Sequence, residues 1–166
     1  MPITPFHFGP GTAVKAVVPN LFSLTAFIGA NVLIDVEPFY YMLTNQYPVH
    51  RFFHTYVGAT VITLVVILVI LLLKRLVTTF SSNPLWAQRE LKFLPVLIGA
   101  ALGGYSHIVL DSIMHIDIRP LAPFSDGNTL FRVISLPKLH LFCLILGGLG
   151  VVGLLARSGY RKWSKS

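Results

Sequence analysis

The stretch SHIVLDSIMH, residues 106–115, places His107, Asp111 and His115 four positions apart within an otherwise apolar run. Residues four positions apart lie on one face of an α-helix, so the three side chains are expected to form one stripe. Ionisable groups in an apolar helix are costly unless they pair or bind something. Imidazole and carboxylate suit zinc and other divalent first-row metals. The stretch therefore predicts a metal site in a membrane protein; a buried Asp–His pair that only stabilises helix packing is the simpler alternative.

The composition of the 166-residue chain is that of a membrane protein. Hydrophobic residues make up 54% of it and charged residues 11%, whereas soluble domains contain about 25% charged residues. The length indicates a single domain, residues 1–166. The net charge of +7 does not indicate a nucleic-acid partner, because the basic residues lie mostly beside apolar runs, where they act as topology signals. The single cysteine, Cys143, lies in an apolar run and is expected to be a small buried hydrophobe.

The apolar runs predict an all-α integral membrane bundle of about four transmembrane segments. Three runs are long enough to cross a bilayer: Tyr56–Leu73, Phe93–Leu110 and Leu139–Ala156. A fourth candidate, Gly11–Ile34, is interrupted at Pro19-Asn20, a pair that favours a break.

The broken first segment decides the position of His7. We expect a short segment, Gly11–Val18, then a turn and a longer helix, Leu21–Ile34. A hairpin of this kind brings His7 back to the side of Asp35. A single crossing leaves it on the opposite side, without polar neighbours.

Basic residues predict the orientation of the helices. The Lys74–Lys92 connection and the C-terminal tail are the most basic segments outside the apolar runs, and the positive-inside rule assigns both to the cytoplasm. The other connections then face the opposite side. Ten ionisable residues singled out by their positions fall on that side: Asp35, Glu37, His50, Arg51, His54, His107, Asp111, His115, Asp117 and His140.

Two short motifs add candidate site residues to the stripe. In HRFFHT, residues 50–55, His50 and His54 are four apart, and Arg51 between them can hold an anionic group such as a phosphate. In IDVEP, residues 34–38, Asp35 can ligate a metal, while Asp35 or Glu37 can act as a general base. The alternatives are an interfacial anchor for the first motif and acids that mark the water boundary for the second.

Several other polar positions receive structural interpretations. We expect Asp117 to pair with Arg119, and Asp126 to be a turn residue. His140 is a weak ligand candidate, because no partner follows four residues later. The pairs Gly103-Gly104 and Gly147-Gly148 are expected to be close helix contacts.

The motifs together resemble a family of membrane-bound metal-dependent hydrolases that includes a LexA-regulated protein of the bacterial inner membrane. The similarity lies in an early histidine before a glycine, as in HFG at 7–9, in DVE at 35–37, in HRFFHT at 50–55, and in the Ser-His-x-x-x-Asp pattern at 106–111. It spans His7 to about Pro123. The resemblance implies a multi-pass protein of the bacterial inner membrane with a hydrolase site.

The order of these motifs is also similar to that of zinc-dependent phospholipase C. This second resemblance implies metal ligands at His7, Asp35, His54, His107 and Asp111. The phospholipase has a later His-x-x-x-Glu pair, whereas here His140 is followed at that spacing by Leu144. One of its three metal positions is therefore expected to be altered or missing.

The sequence thus predicts a metal-dependent hydrolase of a phosphoester, such as a lipid phosphate or a phospholipid headgroup, with one or two Zn²⁺ ions at the non-cytoplasmic face. His50 and His115 are additional ligands or support the ligands, and Arg51 binds the substrate anion. The alternatives are a metal-binding transporter or sensor, and a structural membrane protein whose polar cluster only joins helices.

Overall fold

The computed structural model describes residues 5–80 and 91–164, without the side chains of 77–80 and 161–162. The described part is all-helical, as the apolar runs predict, and contains no strand. The helices are α1 Phe8–Val17, α2 Leu24–Leu43, α3 Tyr56–Phe80, α4 Phe93–Met114 and α5 Leu136–Trp163, with 3-10 turns at Pro5–His7 and Phe52–His54. Most of the predicted cytoplasmic connection, including Arg89 and Glu90, lies outside the described residues.

Three of the described helices are long and apolar enough to cross a membrane: Tyr56–Leu76, Phe93–Met114 and Leu136–Tyr160. The sequence predicted about four such segments. The difference lies in the N-terminal region, where α1 has only 10 residues and rises about 15 Å. The helix after it contains Asn31, Asp35 and Glu37 and is not among the three candidates.

The N-terminal region forms the hairpin that the Pro19-Asn20 break predicts. Lys15 Nζ closes its turn by donating to the carbonyls of Pro19 and Phe22, at 2.9 and 2.8 Å. Ser23 then caps α2, accepting from the Ala26 amide with its hydroxyl. The second helix continues past the predicted end at Ile34 to Leu43 and includes Pro38.

The fourth helix is the centre of the bundle, between α2 and α3, while α1 packs along α5. Small residues allow this close packing. A Cβ on Gly99 would overlap the Ser23 carbonyl, and one on Gly103 would lie 2.6 Å from the Phe27 carbonyl. The predicted close contact at Gly103-Gly104 is therefore confirmed. Of the second pair, Gly147 meets α1 at Gly9, while Gly148 faces open space.

The α2–α4 contact fixes the ends of the bundle relative to each other. At one end, which we call the lower end of the bundle, the Ser23 amide donates to the Pro95 carbonyl at 3.0 Å. The core between the helices is apolar and fully buried, with Ala26, Ala30, Val96, Ala100 and Ile108 at 0% exposure. The upper end of this contact is polar and contains the residues that the sequence singles out.

Candidate metal centre

Two helices and one 3-10 turn bring four predicted ligands together at the upper end of the bundle. These are Asp35 of α2, His54 of the turn, and His107 and Asp111 of α4, and one ligand atom of each lies within 4.8 Å of the others. His107 Nε2 lies 3.4 Å from Asp35 Oδ1 and 3.3 Å from Asp111 Oδ2. His54 Nε2 lies 3.5 Å from Asp111 Oδ2 and 4.0 Å from Asp35 Oδ1.

The N-terminal hairpin adds His7 to the same cluster. Its Nε2 lies 3.1 Å from Asp111 Oδ1, and its Nδ1 lies 3.2 Å from His107 Nδ1. Its side chain is buried. His7 therefore lies on the side of Asp35, as the hairpin predicts and as a single crossing would not allow.

Four buried polar atoms of the cluster have no hydrogen-bond partner among the described residues. They are Nε2 of His7, His54 and His107, and Oδ1 of Asp111. An unsatisfied buried polar group carries a penalty of about 1–3 kcal/mol, and two of the four atoms, His7 Nε2 and Asp111 Oδ1, lie 3.1 Å from each other. A bound cation removes the penalty, because the lone pairs of these atoms become its ligands.

The spacing of the ligand atoms fits a divalent metal ion. Zinc bonds nitrogen and oxygen at about 2.0–2.2 Å in a tetrahedron, so neighbouring ligand atoms lie about 3.4 Å apart. The distances around Asp111 Oδ2 and His107 Nε2 are 3.3 to 3.5 Å. Both the donor set and its spacing therefore fit such an ion.

The other ring nitrogen of each central histidine has its own polar partner. His107 Nδ1 lies 3.0 Å from the Asn31 side-chain oxygen, and His54 Nδ1 lies 3.4 Å from Glu37 Oε2. A neutral imidazole that donates from Nδ1 keeps a lone pair on Nε2. Metal-binding histidines are oriented by such partners.

Glu37 lies behind His54 and not beside the open part of the cluster. Its Oε2 accepts hydrogen bonds from the backbone amides of Arg51 and Phe53, both at 3.0 Å, as well as facing His54. Burial raises the pKa of Glu37, but the bonds from His54, Phe53 and Arg51 outweigh it and leave the pKa below its ordinary value. The predicted base role is untested, and this geometry favours an orienting role.

His115 is not part of a three-residue helical stripe. The helix ends at Met114, and His115 is extended, with φ −116° and ψ 128°. Its ring instead lies 4.4 Å from the His50 ring, and His50 lies 4.6 Å from the His54 ring. His50, Asp111 and His115 form a second group of ligand atoms within 4.8 Å of one another.

The expected Asp117–Arg119 pair is wrong. Both carboxylate oxygens of Asp117 lie 2.9 Å from His50 Nδ1, and Arg119 pairs with the exposed Asp126 at 2.9 Å. Burial, with the nearby His54, lowers the pKa of His50 to about 4, so this imidazole is neutral at pH 7. Burial raises the pKa of Asp117, but the bond from His50 outweighs it and leaves the pKa low.

Arg51 lies beside a cavity and not within the ligand cluster. Its guanidinium stacks 3.6 Å from the centre of the Tyr41 ring and donates to the Pro48 carbonyl at 2.9 Å. The cavity has a volume of about 510 Å³, and its lining includes Arg51, Arg119, His50 and Asp117. His50 thus joins the cavity to the ligand cluster.

The sequence prediction missed one site residue and gave another the wrong partner. Asn31 was not singled out, and Asp117 was assigned to the wrong partner. An amide within the apolar run of α2 is a usable indication for Asn31, since buried polar groups need partners. No local pattern links Asp117 to His50, 67 positions away. His140, the weak candidate, stacks on Phe6 with ring centres 4.3 Å apart and belongs to neither ligand group.

Comparison of the chain with models of protein families, with curated proteins and with solved structures finds no match. The resemblance to membrane-bound metal-dependent hydrolases therefore remains a prediction from the motifs. Function has to be inferred from the ligand cluster and its surroundings.

Proposed function

We propose that this protein is a membrane-embedded, metal-dependent hydrolase of phosphoesters, with lipid phosphates or phospholipid headgroups as substrates. The observation that supports it most is the set of four buried atoms without hydrogen bonds: Nε2 of His7, His54 and His107, and Asp111 Oδ1. Buried ligand atoms that converge in this way are suited to a shared cation.

Asp35, His54, His107 and Asp111 would hold the ion, with His7 at their edge. A divalent ion such as Zn²⁺ supplies Lewis-acid polarisation of a phosphoryl oxygen and lowers the pKa of water. Asp35, through the carboxylate oxygen that does not bind the ion, is our candidate acceptor for the proton that water loses when its oxygen joins phosphorus. The ester P–O bond then breaks, and the leaving oxygen takes up this proton to form the alcohol. Glu37 and Asn31 keep the His54 and His107 rings in the orientation that this requires.

The cavity beside the cluster supports an anionic substrate. Arg51 and Arg119 both line it, and guanidinium groups bind phosphate through paired hydrogen bonds. His50 reaches from this cavity to His54. A phosphate bound between the arginines would therefore lie next to the ligand cluster.

The bundle below the cluster argues against an ion transporter. A path for an ion needs polar groups along the crossing, but α2 and α4 are in backbone contact at Gly99 and Gly103. The residues between these helices are small and apolar, including Ala26, Ala30 and Ala100.

We propose that the site is at the non-cytoplasmic face of a bacterial inner membrane, with the C-terminus in the cytoplasm.

Elemental analysis of the detergent-purified protein tests this function first. We expect stoichiometric metal in the wild type and in Asp126→Asn, whose carboxylate is exposed. We expect its loss in His107→Ala and Asp111→Asn. Phosphomonoesters and phospholipids are then assayed with and without a chelator. Absence of metal from the wild type would refute the proposal, and metal without chelator-sensitive turnover would favour a sensor.

A further inference from the structure

We infer that the site holds a second divalent cation, bound by His50, Asp111 and His115, with Asp111 shared between the two ions. This inference rests on the proposed metal centre and deepens it. One ligand atom of each of the three residues lies within 4.8 Å of the others. Two histidines and a carboxylate form the donor set of many divalent-metal sites.

His50 is oriented as a metal-binding histidine. Both oxygens of Asp117 lie 2.9 Å from His50 Nδ1, and Asp117 Oδ2 also accepts from the backbone amides of Val49 and His50. The carboxylate is thus fixed, and it holds the proton of the ring on Nδ1. The lone pair on Nε2 is then the one that can bind metal.

His115 is held at the second site by the end of α4. Its amide still donates to the Asp111 carbonyl at 2.8 Å, but its extended backbone leaves the helical path. Asn128 Nδ2 donates to the carbonyls of Ser112 and His115, at 2.9 and 3.4 Å. The His115 ring therefore stays near His50 and at the mouth of the cluster, where it is half-buried.

Asp111 belongs to both groups of ligand atoms, so its carboxylate can be shared by the two ions. Its Oδ2 faces His54 and His107, at 3.5 and 3.3 Å. Its Oδ1 is buried and lies 3.1 Å from His7 Nε2. In two-metal sites of phosphatases and nucleases, ions about 3.5–4 Å apart stabilise both the attacking and the leaving oxygen, which agrees with a phosphoester substrate.

The charge of the cluster is compatible with more than one divalent ion. Four carboxylates surround the histidines: Asp35, Glu37, Asp111 and Asp117. The imidazoles must be neutral to bind metal, so the carboxylates contribute a charge of about −4 against +2 for one ion. Uncompensated buried charge is strongly destabilising. Two divalent ions neutralise the cluster.

Zinc stoichiometry of the full chain in detergent tests the second site. We expect two zinc ions per chain in the wild type, one in His115→Ala, and none in Asp111→Asn. The matched control is His140→Ala, another histidine at a helix end, which stacks on Phe6 and should leave two ions. Reconstituted with Mn²⁺, the wild type should give an exchange-coupled electron paramagnetic resonance spectrum that His115→Ala lacks.

A milder variant keeps the test valid if His115→Ala does not fold. Asp117→Asn keeps all three ligands and is expected to lower the affinity for the second zinc about 10–100-fold, with the first unchanged. One zinc in the wild type, lost in Asp111→Asn, would overturn the second site and leave the proposed function intact. No zinc in the wild type would overturn both, and two zinc ions in His115→Ala would overturn the assigned ligands.

Discussion

Replacing Glu37 with glutamine separates an orienting residue from a catalytic base. The Glu37 carboxylate accepts two backbone hydrogen bonds at 3.0 Å, from Arg51 and Phe53, and faces His54 Nδ1 at 3.4 Å. Glutamine preserves the shape and one acceptor but removes the charge. A hydrogen bond to a charged group contributes about 1.5–3 kcal/mol and a neutral one about 0.5–1.5. Two weakened bonds therefore lower the free energy of unfolding by about 2 kcal/mol.

The same change acts on the metal through His54. Loss of the partner that orients a ligand lowers metal affinity about 10–100-fold, which corresponds to about 1.4–2.7 kcal/mol. Competition between purified protein and a colorimetric zinc chelator measures this affinity, with Asp126→Asn as the exposed control. At saturating zinc, turnover by Glu37→Gln should return to near the wild-type value. Wild-type zinc affinity combined with a loss of turnover at saturating zinc would refute the orienting role and support Glu37 as the base.

Three further predictions concern the packing, the ligand support and the topology. The new Cβ of Gly9→Ala would overlap the backbone of α5, so this variant should lower the unfolding free energy by about 1–3 kcal/mol in thermal denaturation. Gly148→Ala, at a position that faces open space, should change it by less than about 0.5 kcal/mol. Equal effects of the two variants would contradict the packing of α1 on α5. Asn31→Leu should weaken zinc binding about tenfold in the chelator assay, since it removes the acceptor of a ligand histidine; unchanged affinity would exclude this role. Gln46→Cys should react with an impermeant thiol reagent from outside the cell, while a reporter at the C-terminus should report cytoplasm; the opposite pattern would place the metal centre at the cytoplasmic face.

Local features of the sequence were sufficient to predict the helices. Apolar runs long enough for a bilayer fix α3, α4 and α5 to within several residues at their ends, because burial in lipid requires continuous apolar surface and internal backbone hydrogen bonds. Pro19-Asn20 located the hairpin turn for a similar local reason. The sequence prediction ended α2 at Ile34 and not at Leu43, because the acidic residues and Pro38 that follow Ile34 are typical of a helix end.

The candidate metal centre was predictable where its geometry is local. His107 and Asp111 face the same way because they are one helical turn apart, and the structure keeps them 3.3 Å from each other. The same rule was wrong for His115, since it assumes that the helix continues. Only the tertiary structure shows that α4 ends at Met114 and turns this ring toward His50.

The sequence alone predicted an all-helical bundle, with helices long and apolar enough to cross a membrane, and the residue types of its polar cluster. Both follow from hydropathy and from spacing within one helix. The partners of those residues were decided by the tertiary structure: Asn31 for His107, Asp117 for His50, and Glu37 for His54. Spacing along a helix relates side chains about one turn apart. Partners from different helices and loops depend on how those elements pack, and here backbone contact at glycines sets that packing. The spacing of His107 and Asp111 predicted a metal site, and the packing decided which other side chains could share in holding an ion.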